Sequence, residues 1–168
     1  ISGSGTTAIG QLEAPSELTM PNQPAFLAFV DDTQSNIASD TATTFQYNTE
    51  IFDQGSDFNT STYKFTAPVT GKYQLNFKGY FLQVPTDAEF IYTQIITSNR
   101  NYIHIFDPRG FDTSPLNYHF ADATVLADMD ANDTAHVAVY VRLGSGTLDI
   151  YGGNATDPSN YFSGYLVC

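Results

Sequence analysis

Three histidines, one cysteine and one dense run of carboxylates are the groups in this 168-residue chain with the most chemical potential. Nucleophilic catalysis needs a base within hydrogen-bond reach of the nucleophile, and a histidine pair binds metal only when its spacing puts both rings on one face. His104 and His136 each sit in strand-like alternation, and His119 lies between Tyr118 and Phe120. There is no Gly-x-Ser-x-Gly elbow, and no two histidines have metal-ligand spacing. The residues around Cys168 offer no base to activate its thiol, and a single cysteine excludes an intrachain disulfide. The histidines read as packing or surface residues and the thiol as inert.

The run Asp128-Met129-Asp130-Ala131-Asn132-Asp133 places carboxylates where oxygens of Asp128, Asp130 and Asp133 could surround calcium. The EF-hand pattern fails: its sixth position is Asp133 instead of Gly, and its twelfth is Val139 instead of Glu. The competing reading is a solvated turn between two strands. Asp31-Asp32 is a weaker version of the same feature. No other cofactor is expected. Asn59, Asn132 and Asn154 open glycosylation triplets, but about two such triplets arise by chance at this composition.

Charge narrows the partners. Six basic residues stand against 18 acidic ones, for a formal net charge of −12. Phosphate backbones and anionic membrane surfaces both call for clustered Lys and Arg, so nucleic-acid binding and membrane attachment are not expected. No apolar run reaches the roughly eighteen residues that a spanning helix requires. The core must come from 13 Phe, 11 Tyr and aliphatics, since Trp is absent.

Strand signals occupy most of the chain, and no stretch carries helical periodicity. Tyr73, Leu75 and Phe77 alternate with Lys72, Gln74 and Asn76. Val137, Val139, Val141 and Leu143 alternate with His136, Ala138, Tyr140 and Arg142. Further strands are expected at 25–30, 90–97, 102–106, 116–127, 147–151 and 161–167, and a polar loop at 31–44. Pro68 and Gly71 bracket a connection that reads as the turn of a hairpin between 63–66 and 71–77. Nine or ten short strands separated by turns imply an all-β sandwich. Residues 1–23 carry a Ser/Gly/Thr-rich start and then Pro15 and Pro21, which reads as a linker or the end of a stalk. A disordered tail is an equal reading for 1–10.

The stretch 47–77 resembles the signature of the complement C1q globular domain, within the wider TNF-like jelly-roll group. Asp53, Phe58, Phe65, Gly71, Tyr73 and Phe77 fall at its spacings, while Tyr47 and Leu75 stand where the family usually has Phe. Pro24-Ala25-Phe26-Leu27-Ala28-Phe29 resembles the family's opening strand, and Asn160-Tyr161-Phe162-Ser163-Gly164-Tyr165-Leu166-Val167 its closing one. The segment 131–139 resembles a late Gly-Asp turn and strand, with Asn132 in place of Gly.

The resemblance covers 24–168 and implies a ten-stranded jelly-roll head of the C1q/TNF type. It also implies a non-catalytic head, a non-covalent homotrimer, and a place on an extracellular, cell or virion surface. Three functions stay open. The first is a recognition head for a surface protein or glycan. The second is a structural virion component, as fibre knob or capsid decoration. The third is a secreted defence or signalling protein. In such a trimer the loops away from the stalk are free for a partner, here among 85–89, 107–115, 128–133 and 152–160. Within 107–115, Arg109 and Phe111 are the binding candidates. Alternatively Phe111 folds back on the sandwich and Arg109 pairs with Asp107 or Asp112. Tyr80, Tyr92, Tyr102, Tyr118, Tyr140, Tyr151, Tyr161 and Tyr165 lie in or near strands and divide among core, subunit interface and sugar-binding surface in a way the sequence does not sort.

Overall fold

The computed structural model describes residues 20–109 and 118–168. The regular elements among them are all strands: β1 (Ala25–Phe29), β2 (Gln34–Ile37), β3 (Thr43–Thr44), β4 (Thr49–Gln54), β5 (Phe58–Asn59), β6 (Lys64–Thr66), β7 (Gly71–Leu82), β8 (Phe90–Thr97), β9 (Asn101–Phe106), β10 (His119–Met129), β11 (Thr134–Arg142), β12 (Leu148–Ile150) and β13 (Tyr161–Leu166). They form two antiparallel sheets. The first has the order β2-β12-β7-β13-β1-β4, with β10 along the other side of β7. The second has the order β5-β6-β11-β8-β9, with β3 also on β11. The fragments β2 and β3 fall inside the expected polar loop at 31–44, and β5 is a two-residue bridge. Ten strands remain without them.

Period-two patterning puts one face of each long strand into a shared core. Tyr73, Leu75, Phe77 and Phe81 of β7 are buried, and so are Val137, Val139 and Val141 of β11. At the centre, Phe26 stacks on Phe65 at 4.7 Å and on Phe58 at 5.0 Å, and meets the edge of Phe162 at 5.1 Å. Burial of each of these rings contributes about 2–3 kcal/mol, which is how a core without Trp or disulfides holds together.

The expected hairpin is corrected. β6 pairs with β5 and β11 in the second sheet, whereas β7 pairs with β10, β12 and β13 in the first. The connection through Pro68 crosses from one sheet to the other. Both strands alternate because each buries one face in the same core from opposite sides, and Phe65 meets Tyr73 across it at 5.4 Å. Alternation records burial and is silent about which strand is the neighbour.

Several signature residues have visible structural work. The Asp53 carboxylate accepts from the Asp57 amide at 3.1 Å and the Phe58 amide at 2.9 Å, closing the turn between β4 and β5. At Gly71 a Cβ would lie 2.5 Å from Leu166 Cδ1 and 2.6 Å from the Cys168 carbonyl oxygen. Asn132 stands where the family has Gly and adopts φ 75°, a region Asn tolerates better than most residues.

The strands run between two ends. At one end lie Met20, Cys168, and the turns at 67–71, 97–101 and 129–134. They are tied by Lys72 N–H to Cys168 C=O (2.7 Å), Ser98 N–H to Thr134 C=O (3.0 Å) and Ala67 N–H to Asp133 C=O (2.8 Å). At the other end, called distal below, lie the loops after β1, β7, β11 and β12, and residues 107–109 after β9. There Glu89 N–H reaches Arg142 C=O at 2.8 Å, and Gly153 N–H reaches Val30 C=O at 2.7 Å.

Candidate functional site

The two groups of candidate residues are at opposite ends. Asp128, Asp130 and Asp133 sit at the Cys168 end. Asp128 Oδ2 pairs with Arg100 at 2.7 Å, and Asp133 Oδ2 accepts from Asn99 Nδ2 at 3.0 Å and the Asp130 amide at 2.9 Å. Asp128 is held below the usual carboxylate range by its backbone hydrogen bond and by the positive charges of Arg100 and Lys72. Among the described residues, no three His, Cys, Asp or Glu side chains gather in a set able to hold a metal ion.

Arg109 is at the distal end, just beyond β9. Its Nε donates to Asp107 Oδ1 at 2.9 Å and its Nη2 to Oδ2 at 2.7 Å. These hydrogen bonds draw the exposed Asp107 carboxyl down to about 2. Of the two pairings open for Arg109 in the sequence, the one with Asp107 is made. Phe111, Asp112 and the rest of 110–117 lie outside the described residues. Of the other candidate loops, 85–89 and 152–160 are distal, and 128–133 is not.

The histidines do not converge. His136 lies on the outer face of the second sheet, half-buried, with no hydrogen-bond partner at Nδ1. His119 stacks on Phe106 at 3.7 Å where the edges of the two sheets meet. Burial lowers the pKa of both, with smaller pushes from His104 on His119 and from Lys64 on His136.

What the sequence named without sorting, the structure sorts. Tyr102 packs against the core, to which Tyr47 and Tyr73 of the signature stretch belong outright. Tyr92 and Tyr140 lie on the outer face of the second sheet beside Phe90, with Arg142 and Asp40 at their rim. Tyr80, Tyr161 and Tyr165 belong to the outer face of the first sheet. That face is unusually apolar. Phe120 stands opposite Tyr80, Leu126 opposite Gln74, and Tyr165 on the other side of Gln74, with Phe52 two strands further across. A groove of about 520 Å³ there is lined by Ala25, Leu27, Phe52, Tyr161 and Tyr165 among others. Phe52, Phe120, Leu126 and Tyr165, together with Ile103 and Ile105 on the edge strand β9, are each 47–59% exposed. Soluble surfaces rarely concentrate large apolar side chains in this way unless something covers them.

Further toward the distal end, the same face carries a second cleft, of about 480 Å³, between the ends of β7 and β10 and the 151–160 loop. Lys78, Tyr80, Tyr118 and Tyr151 line it, with Asp157 and Ser159. Sequence reading had each of these tyrosines and the loop, but nothing in the sequence joins them. Their common position follows from β7 and β13 being neighbours, which fixes where the loop before β13 returns.

An antiparallel sandwich with long strands at its centre, loops gathered at one end and one apolar outer face is a jelly-roll domain of the C1q and TNF class. A C1q domain model matches residues 25–167, and the chain belongs to the C1q domain family. No curated protein matches it in sequence. Among solved structures, it is similar to the globular domain of zebrafish complement 1qA protein, at 16% identity over 87% of this chain and 98% of that one, with a TM-score of 0.59. It is similar to murine APRIL, at 11% identity over 86% and 99% of the two chains, TM-score 0.58. Eiger TNF from S. frugiperda is another match, at 10% identity over 88% and 94%, TM-score 0.55.

Proposed function

We propose that this chain is the non-catalytic head of a homotrimer, carried at the end of a stalk or fibre at an extracellular, cell or virion surface, where it binds a surface protein or glycan. The apolar outer face of the first sheet carries this reading. Its exposed side chains lie on both sides of β7, with Leu126 and Tyr165 flanking Gln74. Phe52 and Tyr165 are on the side of β1 and β4, and Phe120 and Leu126 are on β10, with Ile103 and Ile105 on the nearby β9. Patches at different places on one chain meet head to tail, and head-to-tail contacts close into a ring when the rotation fits. A three-membered ring is what the family resemblance implies. Recognition then falls to the distal loops, where Arg109 stands, with Phe111 kept as the second candidate from the sequence. The Arg109 guanidinium is already engaged by Asp107, so a partner's carboxylate would have to compete with that fork.

Light scattering at micromolar concentration tests the assembly. The expected mass is three times that of an 18.4 kDa chain. Replacing Leu126 and Tyr165 together by Glu should give a folded monomer, judged by far-UV circular dichroism. A monomeric wild type, or a double variant that still trimerises, would refute the reading. The calcium expectation at Asp128, Asp130 and Asp133 enters here only as diffuse screening, since three chains of formal charge −12 repel one another. A modest rise in melting temperature with millimolar calcium is expected, and identical curves with calcium and with chelator would remove it.

A further inference from the structure

The cleft beside Tyr80 has a construction that the trimer reading does not require. Its walls are aromatic. The Tyr118 and Tyr151 rings meet at 86° with centroids 6.2 Å apart, making a corner, and Lys78 Nζ lies 4.8 Å over the centroid of the Tyr80 ring. Tyr118 is 68% exposed, so one wall has ring surface free for a ligand. Lys78, Asp157 and Ser159 add polar groups to the lining.

The cleft is also braced. Asn160 is fully buried at its back. Its Oδ1 accepts from the Tyr80 amide, and its Nδ2 donates to the carbonyl oxygens of Tyr151 and Tyr80. One side chain therefore fixes the backbone of two of the three tyrosines. Asn154 Oδ1 accepts from the Thr156 amide at 2.9 Å and the Asp157 amide at 3.0 Å, which shapes the loop from within. At Gly152 a Cβ would sit 2.5 Å from Thr33 N, so the loop is packed against the segment after β1. A cleft of this volume falls in the range of small-molecule sites, and preformed walls lower the entropic cost of binding.

We propose that this cleft binds a neutral, pyranose-containing glycan. Flat tyrosine rings take up the apolar C–H face of a pyranose, and their hydroxyls donate and accept toward its hydroxyl groups. The ammonium of Lys78 donates to sugar oxygens, and the carboxylate of Asp157 accepts from sugar hydroxyls. These two groups cancel in formal charge, so the cleft has no local excess to hold an acidic sugar. The chain as a whole, at −12, repels one. This rests on the reading of the chain as a binding head and deepens it by naming the ligand class.

The test is titration of the intact protein with lactose, maltose and N,N′-diacetylchitobiose, followed by tyrosine fluorescence and by NMR, with sialyllactose as the acidic arm. At least one neutral disaccharide is expected to bind with a millimolar or tighter dissociation constant and to shift signals from the cleft. Tyr118→Ala should weaken binding tenfold or more, and Tyr118→Phe should keep most of it. Tyr92→Ala, on the opposite sheet, should leave it unchanged. Each variant is weighed by light scattering and melted alongside the wild type. Absence of binding to all three neutral sugars, or binding to sialyllactose alone, overturns the proposal. So does loss of the trimer in Tyr118→Ala without any sugar binding by the wild type, which would mean that a second copy of the chain fills the cleft. Sugar binding by a protein that proves monomeric would sustain the proposal while removing the trimer.

Discussion

Asn160 holds the Tyr80 peptide from both sides, with Oδ1 accepting its N–H and Nδ2 donating to its C=O. The same carboxamide donates to the Tyr151 carbonyl oxygen, and no part of Asn160 is exposed to solvent. Asn160→Ala strands a buried amide hydrogen and a carbonyl oxygen together. It should cost about 2–4 kcal/mol, measured by urea unfolding, because each uncompensated buried group costs about 1–3 kcal/mol. Asn160→Asp keeps the acceptor and loses the donor, and should do comparable harm by burying a charge. Stability within a few tenths of a kcal/mol of wild type in both variants would show that water replaces the carboxamide.

Tyr47 offers the opposite case. Its ring is wholly buried between Phe45 at 5.6 Å and Phe162 at 5.8 Å, and its hydroxyl has no hydrogen-bond partner. Burial pushes its pKa well above the ordinary tyrosine value. The position is one where the C1q resemblance has Phe. Tyr47→Phe keeps the ring and removes the orphaned hydroxyl, so it should stabilise by about 1 kcal/mol. That corresponds to a rise in melting temperature of about 2–4 °C for a chain of this size. A drop in melting temperature would mean that the hydroxyl is satisfied by an ordered water.

The fold was legible because burial on one face writes itself into alternation, and because Asp53 and Gly71 do local jobs that few other residues can do. Pairing was less legible. Lys64, Phe65 and Thr66 alternate in the same way whether β6 lies beside β7 or across the core from it, so the hairpin could not be told from a crossover. The site was the least legible part. Tyr80, Tyr118 and Tyr151 are separated by 38 and 33 positions and come together only through the order of strands in the first sheet. Arg109 was visible because basic residues are rare in this chain. Its partner Asp107, two residues away, was one of two that the sequence left open.

Gly71 and Cys168 separate backbone from side chain. The Cys168 carbonyl accepts from the Lys72 amide at 2.7 Å, whereas its thiol is free and exposed. Gly71→Ala puts a methyl group against Leu166 and the Cys168 carbonyl, and overpacking of this kind costs about 1–3 kcal/mol. Cys168→Ser changes only the exposed side chain and should leave the urea midpoint unmoved. Equal midpoints for Gly71→Ala and wild type would show that the last residues move aside freely.

Acid should weaken the fold in two separate windows. His119 and His136 have folded pKa values lowered by burial from the ordinary 6.5. As pH falls, the unfolded chain therefore takes up these protons first. The stability tied to the neutral rings is complete above about pH 6.5 and is lost as pH falls from there through their lowered native values. The carboxylates act further down. Asp107 is drawn to about 2 by Arg109, and Asp40 is lowered by hydrogen bonds from Tyr140, Ser39 and Arg142, both from an ordinary 3.8. Their contribution is present above 3.8 and disappears below it, and it is small because both groups are exposed. Urea midpoints measured at fixed protein concentration from pH 8 to pH 3 should therefore decline first below about 6.5 and again below about 4. His136→Gln, which keeps a polar side chain without a titrating ring, should flatten the first decline in part. Arg109→Ala should raise the Asp107 pKa, read by NMR, and leave the first decline untouched. A midpoint constant from pH 8 to pH 5 would show that the buried rings are protonated in the folded protein as readily as in the unfolded chain.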